Sequence, residues 1–131
     1  MTVPSSGAIS MNDFNVSIGA AGTTQRSFSD ATFLSQAGNK TATSGQNVSL
    51  GDIYSYAYNP TIASNVTNYN MRSAAVSAGW NGYKQLNMTV TVNSGVYVYS
   101  TSTGSYSFDT GSTFPTGSSL RLNNNGVIIG K

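Results

Sequence analysis

The spacing of apolar and polar residues changes near residue 86. Beyond it the period is two. Met88, Val90 and Val92 alternate with Thr89 and Thr91, Val96 and Val98 with Tyr97 and Tyr99, and Tyr106 and Phe108 with Ser105 and Ser107. Leu120 and Leu122 flank Arg121, and Val127 to Ile129 closes the series. Alternation places successive side chains on opposite faces of an extended chain. The breaks fall at Asn93–Gly95, Ser102–Gly104, Gly111–Gly117 and Asn123–Gly126, and Asn125-Gly126 is a strong tight-turn signal. The pattern predicts five short strands in a small antiparallel β module, either a sandwich or the first coils of a β-solenoid. Runs of Asn at corners suit stacked ladders, one point for the solenoid, but the sandwich is the preferred expectation.

Before residue 86 the apolar spacing is mostly three and four, and one phrase recurs: SMNDF (10–14), SFSDA (27–31) and SLGDI (49–53). Ser followed three residues later by Asp is a capping pattern. The Ser hydroxyl accepts from the backbone N–H three residues on, and the carboxylate reaches back to the Ser N–H. Ser10 with Asp13, Ser27 with Asp30, and Ser49 with Asp52 are therefore the expected helix starts. A hydrophobic staple supports the first (Ile9 and Phe14) and the third (Val48 and Ile53), whereas Arg26 and Ala31 make a poor one for the second. Gly19, Gly38 and Asn59-Pro60 bound these helices, so each is short and has to pack on something else. Met11, Phe14 and Ile18 share one face of the first helix, and Phe33, Leu34 and Ala37 one face of the second.

Residues 39–47 read as a polar linker. Tyr54, Tyr56 and Tyr58 alternate, which puts three rings on one face of a strand, suited to interface or core packing or to stacking a sugar. Residues 67–79 predict a further helix, capped by Thr67 or Asn68 and stopped by Gly79, with Met71, Ala75 and Ala78 as its buried stripe. Trp80 and Tyr83 follow as a lid over that helix, Trp80 holding the second half together. The fold class expected is α+β: a helical attachment region over 1–59, and a helix plus β module over 60–131.

Composition narrows the chemistry. Charged residues make up 8% of the 131, and the net charge is +2. Ser, Thr, Asn and Gly take their place, so little repulsion keeps copies apart and assembly is expected. The six basic residues are scattered without a stripe, which argues against nucleic-acid binding. No apolar run has the length of a membrane span, so no membrane insertion is expected. The opening MTVPSSGAIS has neither a basic nor an apolar leader segment, which implies synthesis in the cytoplasm without secretion. The Asn-x-Ser/Thr triplets read as accidents of composition.

His, Cys and Glu are absent, and three of the four acids, Asp13, Asp30 and Asp52, are assigned to caps. The fourth, Asp109, stands in Asp-Thr-Gly, a triplet also found around aspartic-protease carboxylates. A turn in which Asp109 bonds its own backbone is the reading preferred here. No catalytic residue, cofactor site or metal site is expected, and the chain is not expected to be an enzyme.

The segments SSGAISMNDFN, TTQRSFSDATFLSQAG and SGQNVSLGDIY resemble the head region of small structural proteins of tailed bacteriophages. The stretch YNMRSAAVSAGWNG, followed by the β-rich region from TVTVNSG to LNNNGVIIGK, is similar to segments of phage tail and fibre proteins. The resemblance implies a virion component of tail, tail-fibre or tail-tip type that binds other virion proteins, with a homotrimer as the preferred assembly. Docking would use Met11, Phe14, Ile18, Phe33 and Leu34 together with Tyr54, Tyr56 and Tyr58. Two alternatives stand beside it. One is a receptor-binding module stacking host glycans on Tyr97, Tyr99 and Tyr106, and the other is a capsid decoration or head-fibre protein.

Overall fold

The structure, a computed structural model, describes residues 2–28, 30–38 and 49–131. The linker expected over 39–47 lies outside them. Contacts divide the chain into two compact units, each built from three separate stretches. The first comprises 1–57, 80–87 and 114–119, and the second 58–79, 88–113 and 120–131.

The first unit holds α1 (Met11–Ser17), α2 (Ala31–Gln36) and a 3-10 turn (Leu50–Ile53). Ser10 and Asp13 form a reciprocal capping box: the Ser10 N–H donates to Asp13 Oδ2 at 2.7 Å, and the Asp13 N–H donates to Ser10 Oγ at 3.3 Å. The Ser10 hydroxyl also donates to Oδ2 at 2.7 Å, and this bond first, then that of the Ser10 N–H, favours the charged carboxylate and holds Asp13 below its ordinary pKa. The start of α2 differs from the expected one. Asp30 itself is the N-cap, with Oδ1 accepting from the N–H groups of Thr32 and Phe33, while Ser27 lies a turn upstream with its carbonyl on the Asp30 N–H. A carboxylate with two lone-pair faces can serve two orphan donors at once, and Arg26 Nη1 holds its other oxygen at 3.0 Å. The third start is one 3-10 turn, in which the Ser49 N–H donates to Asp52 Oδ2 at 2.7 Å. It ends before β1 (Tyr56–Tyr58), which takes two of the three alternating tyrosines and leaves Tyr54 as the C-cap of the turn.

Val3, Phe14, Phe33, Ala37 and Ile53 form the core of this unit, with Ile9, Met11, Ile18 and Leu50 packed against it. Phe14 meets Phe33 edge-to-face at 5.4 Å, and Phe28 lies as close to Phe33 on another side. Polar chemistry joins its separate stretches at Gln85, which is fully buried. Its Oε1 accepts the Val3 N–H at 2.8 Å, and its Nε2 donates to Ser17 Oγ at 2.7 Å. Gly117 crosses the same amide so closely that a Cβ there would stand 2.5 Å from Nε2, and its φ of +94° also calls for glycine. Trp80 stacks on Phe114 at 5.9 Å and donates its ring N–H to the Lys84 carbonyl. These contacts pack Trp80 within the first unit.

The second unit differs from the expected antiparallel module. Its elements are β2 (Thr61–Ile62), β3 (Val66–Thr67), β4 (Tyr69–Asn70), α3 (Met71–Ser77), β6 (Tyr97–Tyr99), β7 (Phe108–Asp109) and β9 (Val127–Ile129). The longer strands β5 (Leu86–Val92) and β8 (Ser119–Asn124) run into it, β5 pairing with β1, β2 and β8. The pairs β2–β5, β3–β6, β6–β9 and β4–β7 are all parallel. Period-two alternation is the same in both kinds of ladder, and what separates them is connection length. Parallel neighbours need a crossover of a dozen residues or more, and here Thr61 faces Thr91, 30 positions on (91 − 61). Successive passes of chain lie beside one another as stacked rungs, although the stack is not closed into a solenoid.

Helix α3 also begins later than expected. Residues 66–67 and 69–70 pair as strands around Asn68, whose φ is +50°. The N-cap is therefore Asn70, whose Oδ1 accepts the Ser73 N–H at 2.8 Å. Met71 and Ala75 are buried, while Ala78 is exposed.

Candidate functional site

Three of the five residues expected to dock a partner through the helices are interior, and the other two are partly buried. Phe14, Phe33 and Leu34 are buried, and Met11 and Ile18 pack on the same core. A side chain already sheltered from water gains little from a partner, so Phe14, Phe33 and Leu34 serve the core. Tyr54 is half-buried, with its hydroxyl donating to the Gly7 carbonyl. Tyr56 and Tyr58 share one face of β1, both half-buried, with Ala57 exposed between them. Tyr58 lies in the second unit beside Tyr69, whose ring stacks on Phe108 at 5.6 Å. Burial pushes the Tyr69 hydroxyl above its ordinary pKa, with a smaller push from Tyr58.

Four of the exposed large apolar side chains lie together on the sheet β3–β6–β9. In β6 the burial alternates strictly: Val98 is buried, whereas Tyr97 and Tyr99 are 49% and 39% exposed. Register carries the alternation into the next strand, because Tyr97 faces Val127, Val98 faces Ile128 and Tyr99 faces Ile129. Opposed residues in neighbouring strands point to the same face. Val127 and Ile129, 42% and 52% exposed, therefore extend the tyrosine pair into two rows, Tyr97–Val127 and Thr67–Tyr99–Ile129. Their register partners hold no charged residue. The opposite face carries Val66, Val98 and Ile128 inward.

Polar residues border this face. Asn65 Oδ1 accepts the Tyr97 N–H at 2.8 Å. Asn68 exchanges two bonds with Thr101, from Nδ2 to Oγ1 at 2.8 Å and from the Thr101 N–H to Oδ1 at 3.3 Å. Lys131 Nζ donates to the Thr101 carbonyl. Ser100 Oγ ties the following loop by donating toward the carbonyls of Ser102 and Ser105, and Tyr106 then stands 77% exposed. Val127 and Ile129 were absent from the sequence-based candidates. Their signal was the alternation of β9, which needs the register to β6 before it points anywhere.

Asp109 holds no exposed reactive position. Its Oδ2 accepts from Asn70 Nδ2 at 2.8 Å and its Oδ1 from the Gly111 N–H at 2.9 Å. Asp13, Asp30 and Asp52 are each engaged at their own helix or turn start. Among the described residues no three His, Cys, Asp or Glu side chains group to hold a metal ion, and no helix is long and apolar enough to cross a membrane.

A family model described as "Phage tail fibre adhesin Gp38" matches residues 57–131, more than half of the chain and the stretch that carries both exposed rows. No curated protein and no solved structure matches.

Proposed function

The chain belongs to the phage tail fibre adhesin Gp38 family, and from that premise we propose that it is a non-catalytic binding component of the tail fibre whose docking surface is the β3–β6–β9 face. Family membership makes it a virion component associated with other virion proteins. The observation that carries the choice of surface is the pair of uncharged rows, Tyr97–Val127 and Thr67–Tyr99–Ile129, left exposed on an ordered parallel sheet. Large apolar and aromatic side chains held rigidly on strands lose little entropy on association, and tyrosine is enriched in such interfaces. A role without catalysis is supported by the lack of His, Cys and Glu and by the engagement of the Asp carboxylates in caps and turns.

Within this reading residues 1–59 serve attachment, and the assembly proposed is homo-oligomeric, a trimer in particular. Light scattering behind size exclusion tests that part, and a monomer at high concentration would count against it. The docking surface is tested by capture of the protein on isolated fibres of the same phage. Binding that survives polar substitution of Tyr97 and Ile129 would refute it.

A second reading is favoured by the same tyrosines: Tyr97, Tyr99 and the more exposed Tyr106 are placed to stack sugar rings of a host surface glycan. Retention on immobilised host polysaccharide, lost on Tyr106→Ala with fibre capture intact, would select it.

A further inference from the structure

We propose that Asn125 is a site of spontaneous deamidation and that its isoaspartate product releases β9 from β6. The inference is independent of the fibre-adhesin reading.

The reaction needs an Asn side chain free to turn, a following residue without a Cβ, and a backbone N–H that can reach the carboxamide carbon. The chain has two Asn-Gly pairs, Asn81-Gly82 and Asn125-Gly126, and both asparagines are exposed. They differ in restraint. Asn81 Oδ1 accepts from the N–H groups of Tyr83 at 3.0 Å and Lys84 at 3.1 Å, which fixes its carboxamide. The Asn125 side chain makes no hydrogen bond among the described residues. Its backbone N–H is anchored on the Val92 carbonyl at 3.0 Å, so the main chain is held while the carboxamide turns. The attacking group, the Gly126 N–H, is engaged by the exposed Asn124 Oδ1 at 3.1 Å.

The chemistry requires hydroxide and water only. The Gly126 nitrogen gives its proton to hydroxide and attacks Asn125 Cγ. The N–Cγ bond forms, the Cγ–Nδ2 bond breaks, and the amide nitrogen leaves as ammonia after taking a proton from water. Water then opens the cyclic imide at either carbonyl, giving aspartate or isoaspartate. In isoaspartate the main chain runs through Cγ, which adds a methylene to the backbone before Gly126.

The added methylene falls beside closely packed backbone. A Cβ at Gly126 would collide with the Val96 carbonyl and stand 2.6 Å from the Asn93 carbonyl. The next residue, Val127, donates its N–H to the Val96 carbonyl at 2.9 Å, beside the Tyr97–Val127 pairing. Lengthening the chain at this point displaces β9 and removes Val127 and Ile129 from the exposed rows. Both products also add a carboxylate to a chain that has four acids.

The test is to age the intact protein at mildly alkaline pH. Ammonia release, site-resolved isoaspartate by peptide mapping with methyltransferase labelling, and amide exchange at residues 127–129 are followed together. Reaction at Asn81 must break the two hydrogen bonds on its carboxamide, and reaction at Asn125 the one on the Gly126 N–H, so Asn125 is expected to react at least about fivefold faster. Asn125→Gln is expected to abolish most labelling and Asn81→Gln little, with exchange in β9 rising as isoaspartate accumulates. Equal rates at the two sites would overturn the proposal. So would an intact Asn125 under conditions that deamidate a free peptide of residues 119–131, or isoaspartate at 125 with β9 exchange unchanged.

Discussion

Replacing Tyr97 and Ile129 together by threonine separates docking from folding. Both positions lie on strands, and threonine keeps the β-branched shape that a pleated surface favours. Both side chains are about half exposed, Tyr97 at 49% and Ile129 at 52%. Full burial of such a side chain is worth about 1.5–3 kcal/mol, so the half still open to a partner is worth about 1 kcal/mol each. The double variant should therefore lose about 2 kcal/mol of binding, or roughly 30-fold in Kd. Its stability should fall by about 1–2 kcal/mol, because the sheltered half of each side chain is removed as well, and the melt measures that loss apart from the loss of binding.

The assay is a titration of the protein on isolated fibres of its phage, beside a urea melt of the same preparations. The informative comparison is Phe33→Ala, which strikes a residue the sequence had assigned to docking. Phe33 is buried between Phe14 and Phe28. Fibre binding at full strength by a folded Tyr97→Thr/Ile129→Thr protein would refute the surface assignment. Weakened binding by a Phe33 variant whose melt is unchanged would return docking to the helices.

Phe33→Ala itself should cost about 3–5 kcal/mol, seen as a fall in the urea midpoint. Gln85→Ala strands the buried Val3 N–H, while the Ser17 hydroxyl keeps its bond to the Phe14 carbonyl, and it should destabilise by about 1–3 kcal/mol in the same melt. On the acid side, Asp13 has a pKa lower in the folded chain than in the unfolded one, so its capping contribution is present above the ordinary carboxylate range and lost as pH falls through the folded value. Asp13→Asn should flatten that part of the stability–pH curve. On the alkaline side, the raised Tyr69 pKa works in the opposite sense. Stability is intact below about pH 10 and falls above it as the unfolded chain ionises first, a fall that Tyr69→Phe should reduce.

Local signals read well where one residue type has one physical use. Ser10 and Asp13 form their box because a helix start leaves N–H groups that short polar side chains can reach, and that requirement is written in four consecutive residues. At α2 the same pattern was displaced by three positions: Asp30 can act as first-turn acid or as cap, and the sequence does not say which. Strand alternation in β5 and β6 was equally legible, with Met88, Val90, Val92 and Val98 all fully buried. Which strands meet was not. Val66 finds Val98, and Tyr69 finds Phe108, across connections whose length rather than composition makes the pairing parallel. The burial of Phe14 and Phe33 was hidden for the same reason. An apolar helix face looks alike whether it covers a core or awaits a partner, and Phe14 and Phe33 cover each other.

The shortage of charge makes the β9 edge informative. In the order β3–β6–β9 the last strand is an edge, and proteins commonly protect such edges with lysine, proline or a bulge. Here β9 reads Val-Ile-Ile, two of its three side chains face outward, and the nearest cation, Lys131, is turned to the Thr101 carbonyl. A strand without those guards invites pairing, and in a chain with 8% charged residues little repulsion opposes it. The same face in a charge-rich protein would be weak grounds for a partner. In a tail-fibre adhesin it means that adding charge at the edge should act chiefly on assembly. Ile129→Lys should leave the urea midpoint close to that of the parent while abolishing both fibre capture and self-association, and an associated, fibre-binding Ile129→Lys protein would show that the edge is already covered by other means.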